Sequence, residues 1–205
     1  MPAQTLQTEG FVLLKRPPSD SHQAFTVFTA DHGSLLALQR LGKKAAAGSL
    51  ALDLFDEVAL LLDSSNQGQT WFVREARLIT RASGIGRSYE SLRLASVLAA
   101  LVARNQVEPE SRHRVATLLR TAFRAFAAGH RPDIVYFKSL YVFARDEGYP
   151  LNQQWFPTLP AADRETVAVL LNRPLAEQST SASTVTQLQA RLEHYLAGHT
   201  EIIIP

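Results

Sequence analysis

TEGFVLLKRPPSDSHQAFTVFTADHG, residues 8–33, decides the fold: two apolar runs flank a polar connection that contains two prolines. Phe11 to Leu14 make the first run, and Lys15-Arg16 and Pro17-Pro18 end it. Phe25, Val27 and Thr29 then alternate with their neighbours until Asp31-His32-Gly33 supplies a turn. Aromatic and β-branched residues at period two between turn formers read as strands. Three further runs follow, Leu35 to Leu38, Leu52 to Leu62, and Trp71 to Ile79, with Asn66-Gln67-Gly68 as a hairpin loop between the last two. Five short strands joined in this way predict a small closed barrel, an arrangement that leaves no sheet edge exposed.

The pattern changes at Arg81-Ala82-Ser83-Gly84-Ile85-Gly86, which reads as a flexible joint. Beyond it Leu94, Val97, Leu98, Leu101 and Val102 recur at three and four, the stripe of an amphipathic helix. A second helix follows Pro109, with Val115, Leu118, Leu119, Ala122 and Phe126 on one face and Gly129 as its stop. Pro132 and Asp133 start a third, whose run from Ile134 to Phe143 is apolar nearly all round and therefore central. Gly148-Tyr149-Pro150 ends it, and a fourth helix runs from Pro160 to about Leu171. Residues 174–183 read as a polar linker, and Thr184 with Gln187 has capping-box spacing for a last helix. The expectation is an α+β chain of two domains, a barrel over residues 1–80 and an all-helical domain over 81–205.

Much chemistry is excluded by what the chain lacks. It has no cysteine, so disulfides and thiolate zinc sites are out, which fits a reducing compartment such as the cytoplasm. The six histidines never fall at metal-ligand spacing, so no metal is expected. Gly84-Ile85-Gly86 lacks the third glycine of a dinucleotide fingerprint, and there is no phosphate-binding P-loop, so no cofactor is expected. Ser19-Asp20-Ser21-His22 are loop neighbours with no elbow to place a nucleophile, and catalysis is not expected. No stretch reaches the length of a membrane span. A pocket around Tyr136, Tyr141 and Arg145 is the only enzymatic alternative, against the simpler reading of those side chains as core.

What remains is basic residues. Net charge is only +2, but from Arg81 to Arg131 nine arginines face three glutamates. On the barrel, Lys15, Arg16, Arg40, Lys43, Lys44 and Arg74 are candidates for phosphate contacts. Phe11, Phe25, Phe28, Trp71 and Phe72 are candidates for stacking on bases, a contact worth about 1–3 kcal/mol per base. Trp71 and Phe72 are adjacent in a strand, so one of them points outward. In the second helix His113, Arg120 and Arg124 share a face, a positive strip suited to an acidic peptide.

The ordered landmarks Thr8, Gly10, Val12, Leu13, Lys15, Phe28, Thr29 and Gly33, then Leu52 and Phe55, Glu75 to Leu78, and Glu147-Gly148-Tyr149-Pro150 resemble the RecO family of bacterial recombination mediators. The resemblance implies an N-terminal oligonucleotide-binding (OB-fold) barrel followed by a helical domain. It implies a non-enzymatic, cytoplasmic, nucleoid-associated protein of the DNA damage response that binds single- and double-stranded DNA and anneals complementary strands. RecR is the implied partner in loading RecA onto DNA covered by single-strand-binding protein. The C-terminal tail of that protein is a further implied partner, and Arg112, Arg120, Arg124 and Lys138 are the residues expected to hold it. The chain departs from the family in three places: Leu151 to Trp155 reads LNQQW where many members carry a zinc-binding cysteine cluster, the acidic residue usual in the first connection has only Ser19-Asp20 as its nearest candidate, and the basic loop reads Arg40-Leu41-Gly42-Lys43-Lys44 in a different order. The alternative is an adaptor whose helical domain docks an acidic peptide and which binds no DNA.

Overall fold

The computed structural model describes residues 4–41, 50–65 and 69–205. It is α+β: a five-stranded sheet precedes six helices. The strands are β1 (Thr5–Lys15), β2 (His22–Thr29), β3 (Gly33–Arg40), β4 (Glu57–Ser65) and β5 (Thr70–Thr80). The helices are α1 (Tyr89–Arg104), α2 (Arg112–Ala128), α3 (Pro132–Asp146), the single turn α4 (Leu151–Gln154), α5 (Ala161–Asn172) and α6 (Ala182–His199).

The chain divides into two compact units, Met1–Ala82 with Gln106–Arg120, and Ser83–Asn105 with Thr121–Pro205. The first half of α2, up to Arg120, thus groups with the strands.

In the strand unit the order is β1-β2-β3-β5-β4, and β4 pairs back with β1, so the sheet closes on itself. All pairs are antiparallel except β3 with β5, where Ala37 faces Trp71 and Leu38 faces Phe72. The interior is filled by the inward members of each alternation, among them Val12, Phe25, Val27, Val58, Leu60 and Leu62. Alternation fails over Phe11, Val12 and Leu13, all buried, because both faces of β1 are covered there. On the outer side the Arg120 guanidinium lies over the Phe11 ring, 5.5 Å from its centre. Gly10 is needed on β1 because a Cβ there would stand 2.5 Å from the Phe28 carbonyl oxygen on the paired strand. Gly33, at φ +70°, closes the β2–β3 turn, where the Thr29 hydroxyl accepts from the His32 amide at 3.0 Å.

The run expected as a strand from Leu52 is one only from Glu57. Leu52 and Phe55 are buried in a preceding turn in which Phe55 adopts φ 67° and the Asp56 carboxylate accepts from the Asp53 amide at 2.9 Å. The Asp53 carboxylate likewise accepts from the Leu54 amide at 2.9 Å, so the amides of residues 53 and 54 are satisfied within the turn, while Phe55 and Asp56 already bond to Val12 of β1. Asp56, with no exposed surface, also receives the fork of Arg81 at 2.9 and 2.7 Å. This contact raises the Arg81 pKa, first through the hydrogen bond and then through the carboxylate charge.

The helical unit is built around α3, which meets α1, α4, α5 and α6. Ile134, Tyr136, Phe137, Leu140 and Phe143 have no exposed surface, as the lack of a polar face predicts. Left-handed Gly129 and Gly148 stop α2 and α3. The expected capping box at Thr184 shifts by a turn: Ser181 is the N-cap of α6 and accepts from the Thr184 amide at 3.2 Å. Residues expected as a plain linker include the 3-10 turn Leu175–Glu177, and Gln178 behind it donates to carbonyls at the end of α5. Within the stretch expected as a joint, Ser83–Arg87 is a 3-10 turn with Ile85 buried.

Tyr136 yields a pH prediction. Burial raises its pKa, and the nearby Glu193 carboxylate adds to the effect by its charge and as a loose acceptor, although no hydrogen bond of normal geometry reaches the hydroxyl among the described residues. Burial raises Tyr141 in the same direction. Because the folded pKa lies above the unfolded value of about 10, this stability is complete below that pH and is lost as pH rises through and beyond it. Tyr136→Phe removes the effect without orphaning a partner, so its melting temperature should match or exceed the parent's at pH 7 and fall less by pH 10.5. A lower melting temperature at pH 7 would show that the hydroxyl is satisfied.

Candidate nucleic-acid interface

The outer faces of β2, β3 and β5 bring aromatic, aliphatic and basic side chains together on the strand unit. Phe25 and Val27 point inward on β2, which leaves His22, Ala24 and Thr26 outward. On β3 Leu35 and Ala37 point inward, which leaves Leu36, Leu38 and Arg40 outward, directly opposite Thr26, Ala24 and His22. β5 resolves the choice between its adjacent aromatics: Trp71 packs on the interior, while Phe72 turns outward with 37% of its surface exposed. Phe72 stands beside Leu38 in the parallel register, and its ring meets the His22 ring edge-on at 5.5 Å. Two residues further along each strand, Arg40 and Arg74 are exposed, and neither forms an ion pair among the described residues. An aromatic and aliphatic strip therefore runs up to two guanidinium groups that form no ion pair among the described residues.

The remaining expected DNA contacts distribute unevenly. Arg16 follows β1 at the same end of the sheet, since its amide donates to Ala24 and the Leu41 amide donates to Ser21. It is exposed. Lys15 is exposed too but leans toward Asp53, 3.6 Å away, a weak surface pair. Lys43 and Lys44 lie outside the described residues. Of the other stacking candidates, Phe11, Phe25 and Phe28 are core.

The residues expected to grip an acidic peptide are mostly engaged. Arg120 donates to Glu57 at 2.9 and 2.5 Å, a nearly buried carboxylate, while it covers Phe11. Arg112 donates to the Asp31 carbonyl at 3.2 Å, and its Nε is buried without a partner among the described residues. Lys138 donates to the Arg173 carbonyl at 2.7 Å, and burial lowers its pKa. Arg124 alone of the four is exposed and carries no ion pair among the described residues.

Sequence reasoning missed His22 and Leu38 as parts of this surface. The period-two alternation places both outward, but only the β3–β5 pairing puts Phe72 beside them. Tyr141, half of the alternative enzymatic pocket, is buried and donates to Asn152 at 2.5 Å, and Arg145 pairs with Asp146 at 2.8 Å. Among the described residues no cluster of metal-ligating side chains occurs, and no helix is long and apolar enough to cross a membrane. Comparison with protein-family models and with curated proteins finds no match for this chain.

Proposed function

We propose that this chain is a non-enzymatic DNA-binding and strand-annealing mediator of the RecO type, whose closed sheet is an OB-type barrel. The observation that carries the reading is Phe72, exposed beside His22 and Leu38 and followed two residues along the strands by Arg40 and Arg74, neither of them in an ion pair among the described residues. A stacking ring beside cations that form no ion pair among the described residues is the combination that binds single strands without regard to sequence. Strand order supports it: five strands closing as 1-2-3-5-4 follow the OB plan, and the outer β2–β3 face is where such barrels take oligonucleotides.

The same reading makes the protein nucleoid-associated in the cytoplasm, active on single- and double-stranded DNA, and a partner of RecR in loading RecA onto DNA coated with single-strand-binding protein. Docking of that protein's tail rests on the resemblance. Arg124 is the residue of the expected four best disposed to it, because the other three are held within the fold.

Fluorescence anisotropy with a labelled oligo-dT, and annealing of complementary oligonucleotides without nucleotide or metal, test the proposal. Binding should fall steeply with salt as counterions are released from phosphates. A salt-independent signal, or no acceleration of annealing at low salt, would sink it in favour of the adaptor reading.

A further inference from the structure

The helical unit holds a groove of about 830 Å³ between the Leu151–Thr158 segment and α6. Its floor is apolar, with buried Trp155 and Leu159 and the half-buried ring of Tyr195. The small side chain of Ala190 leaves one wall low. None of the lining residues is acidic, while Arg191, His194 and His199 stand on the rim.

These walls are fixed before any ligand arrives. Tyr195 donates to the Gln154 side chain at 3.1 Å, and the His199 ring stacks on Tyr195 at 4.5 Å and 10°. Arg191 is anchored by one terminal nitrogen to Asp163, and its Nε and second terminal nitrogen make no hydrogen bond among the described residues. His194 has no hydrogen-bond partner among them either. An apolar floor, a guanidinium and two imidazoles on one rim and a volume within the range of single small-ligand sites define the chemistry of the occupant.

We infer that this groove binds a small amphipathic carboxylate, its apolar body against Trp155 and Leu159 and its carboxylate on Arg191 and His194. The site is separate from the DNA-binding reading and stands whether or not that reading does. The size of the groove favours one compact molecule over an extended peptide, which would need a longer track.

Isothermal titration of the full chain with sodium decanoate below its micellar range tests this, with decylammonium as a probe of equal body and opposite charge. Decanoate should saturate one site, and decylammonium should bind at least tenfold more weakly. Arg191→Ala with His194→Ala should cost decanoate tenfold or more. Ala190→Trp, an exposed helix position, should fill the groove and abolish binding while the melting temperature stays unchanged. No saturable binding of decanoate up to about 1 mM, equal binding of the amine, or undiminished binding by Ala190→Trp would each overturn the inference. Binding of an acidic apolar peptide in place of decanoate would overturn it as well and mark the groove as a protein-docking site.

Discussion

Arg40→Glu combined with Arg74→Glu is expected to weaken oligo-dT binding by at least tenfold at low salt and to flatten its salt dependence. Neither guanidinium is in an ion pair among the described residues, so reversal breaks no ion pair among them and places two carboxylates where phosphates are expected. Each lost phosphate contact on a single strand removes about 0.7 from the slope of log affinity against log salt, so two should remove about 1.4. Phe72→Ala should act differently. Losing one stacked base costs about 1–3 kcal/mol, or roughly 5- to 150-fold, with the salt slope unchanged. Arg124→Glu makes the same charge change on α2 and is the control, with affinity expected to stay within about twofold of the parent. Exposed substitutions of this kind leave stability within about 0.5 kcal/mol, so melting temperatures confirm folding. If the double reversal and Phe72→Ala both bind as the parent does, the β2–β3–β5 face is not the DNA site.

Gly84→Ala should be among the most damaging single-methyl additions in the chain, and Gly86→Ala, two residues on, among the mildest. A Cβ at Gly84 would lie 2.2 Å from the Ala127 carbonyl oxygen, a backbone atom that moves only if the end of α2 moves. Forcing extra volume into such a contact costs about 1–3 kcal/mol or more. At Gly86 a Cβ meets nothing within 4 Å, and no left-handed backbone stands in its way. Reducing the freedom of the unfolded chain there stabilises by about 0.4–1 kcal/mol. Thermal unfolding of the two variants decides the matter: equal melting temperatures would mean that the turn at Ser83–Arg87 is loosely held.

Much of the architecture was readable from periodicity. The apolar stripes predicted five of the helices, and the central position of α3 followed from its lack of a polar face. What escaped were features set by pairs distant in sequence. Asp56 and Arg81 are 25 residues apart, and nothing local in the run from Leu52 says that a buried carboxylate will hold a turn there and postpone β4. The glycines at 84 and 86 look alike in sequence, and only the approach of α2 separates a packing glycine from a permissive one. The single turn α4 is too short for periodicity to register. For the candidate interface, alternation required one of Trp71 and Phe72 to face out, but the choice depends on the register of β5 against β3. The cations were identified by type alone, so Arg120 and Lys138 counted equally with Arg40 until their internal partners were seen.

The Arg120–Glu57 contact bears on how this protein can be dissected and made. A fragment cut where the strands end, near residue 80, would keep Glu57 but lose the guanidinium 63 residues later that neutralises it and shields Phe11. Such a fragment carries an uncompensated carboxylate and a bared ring. On the ribosome, therefore, the strand unit reaches its finished form only after α2 has emerged, and a separable recombinant version has to carry the chain through Arg120.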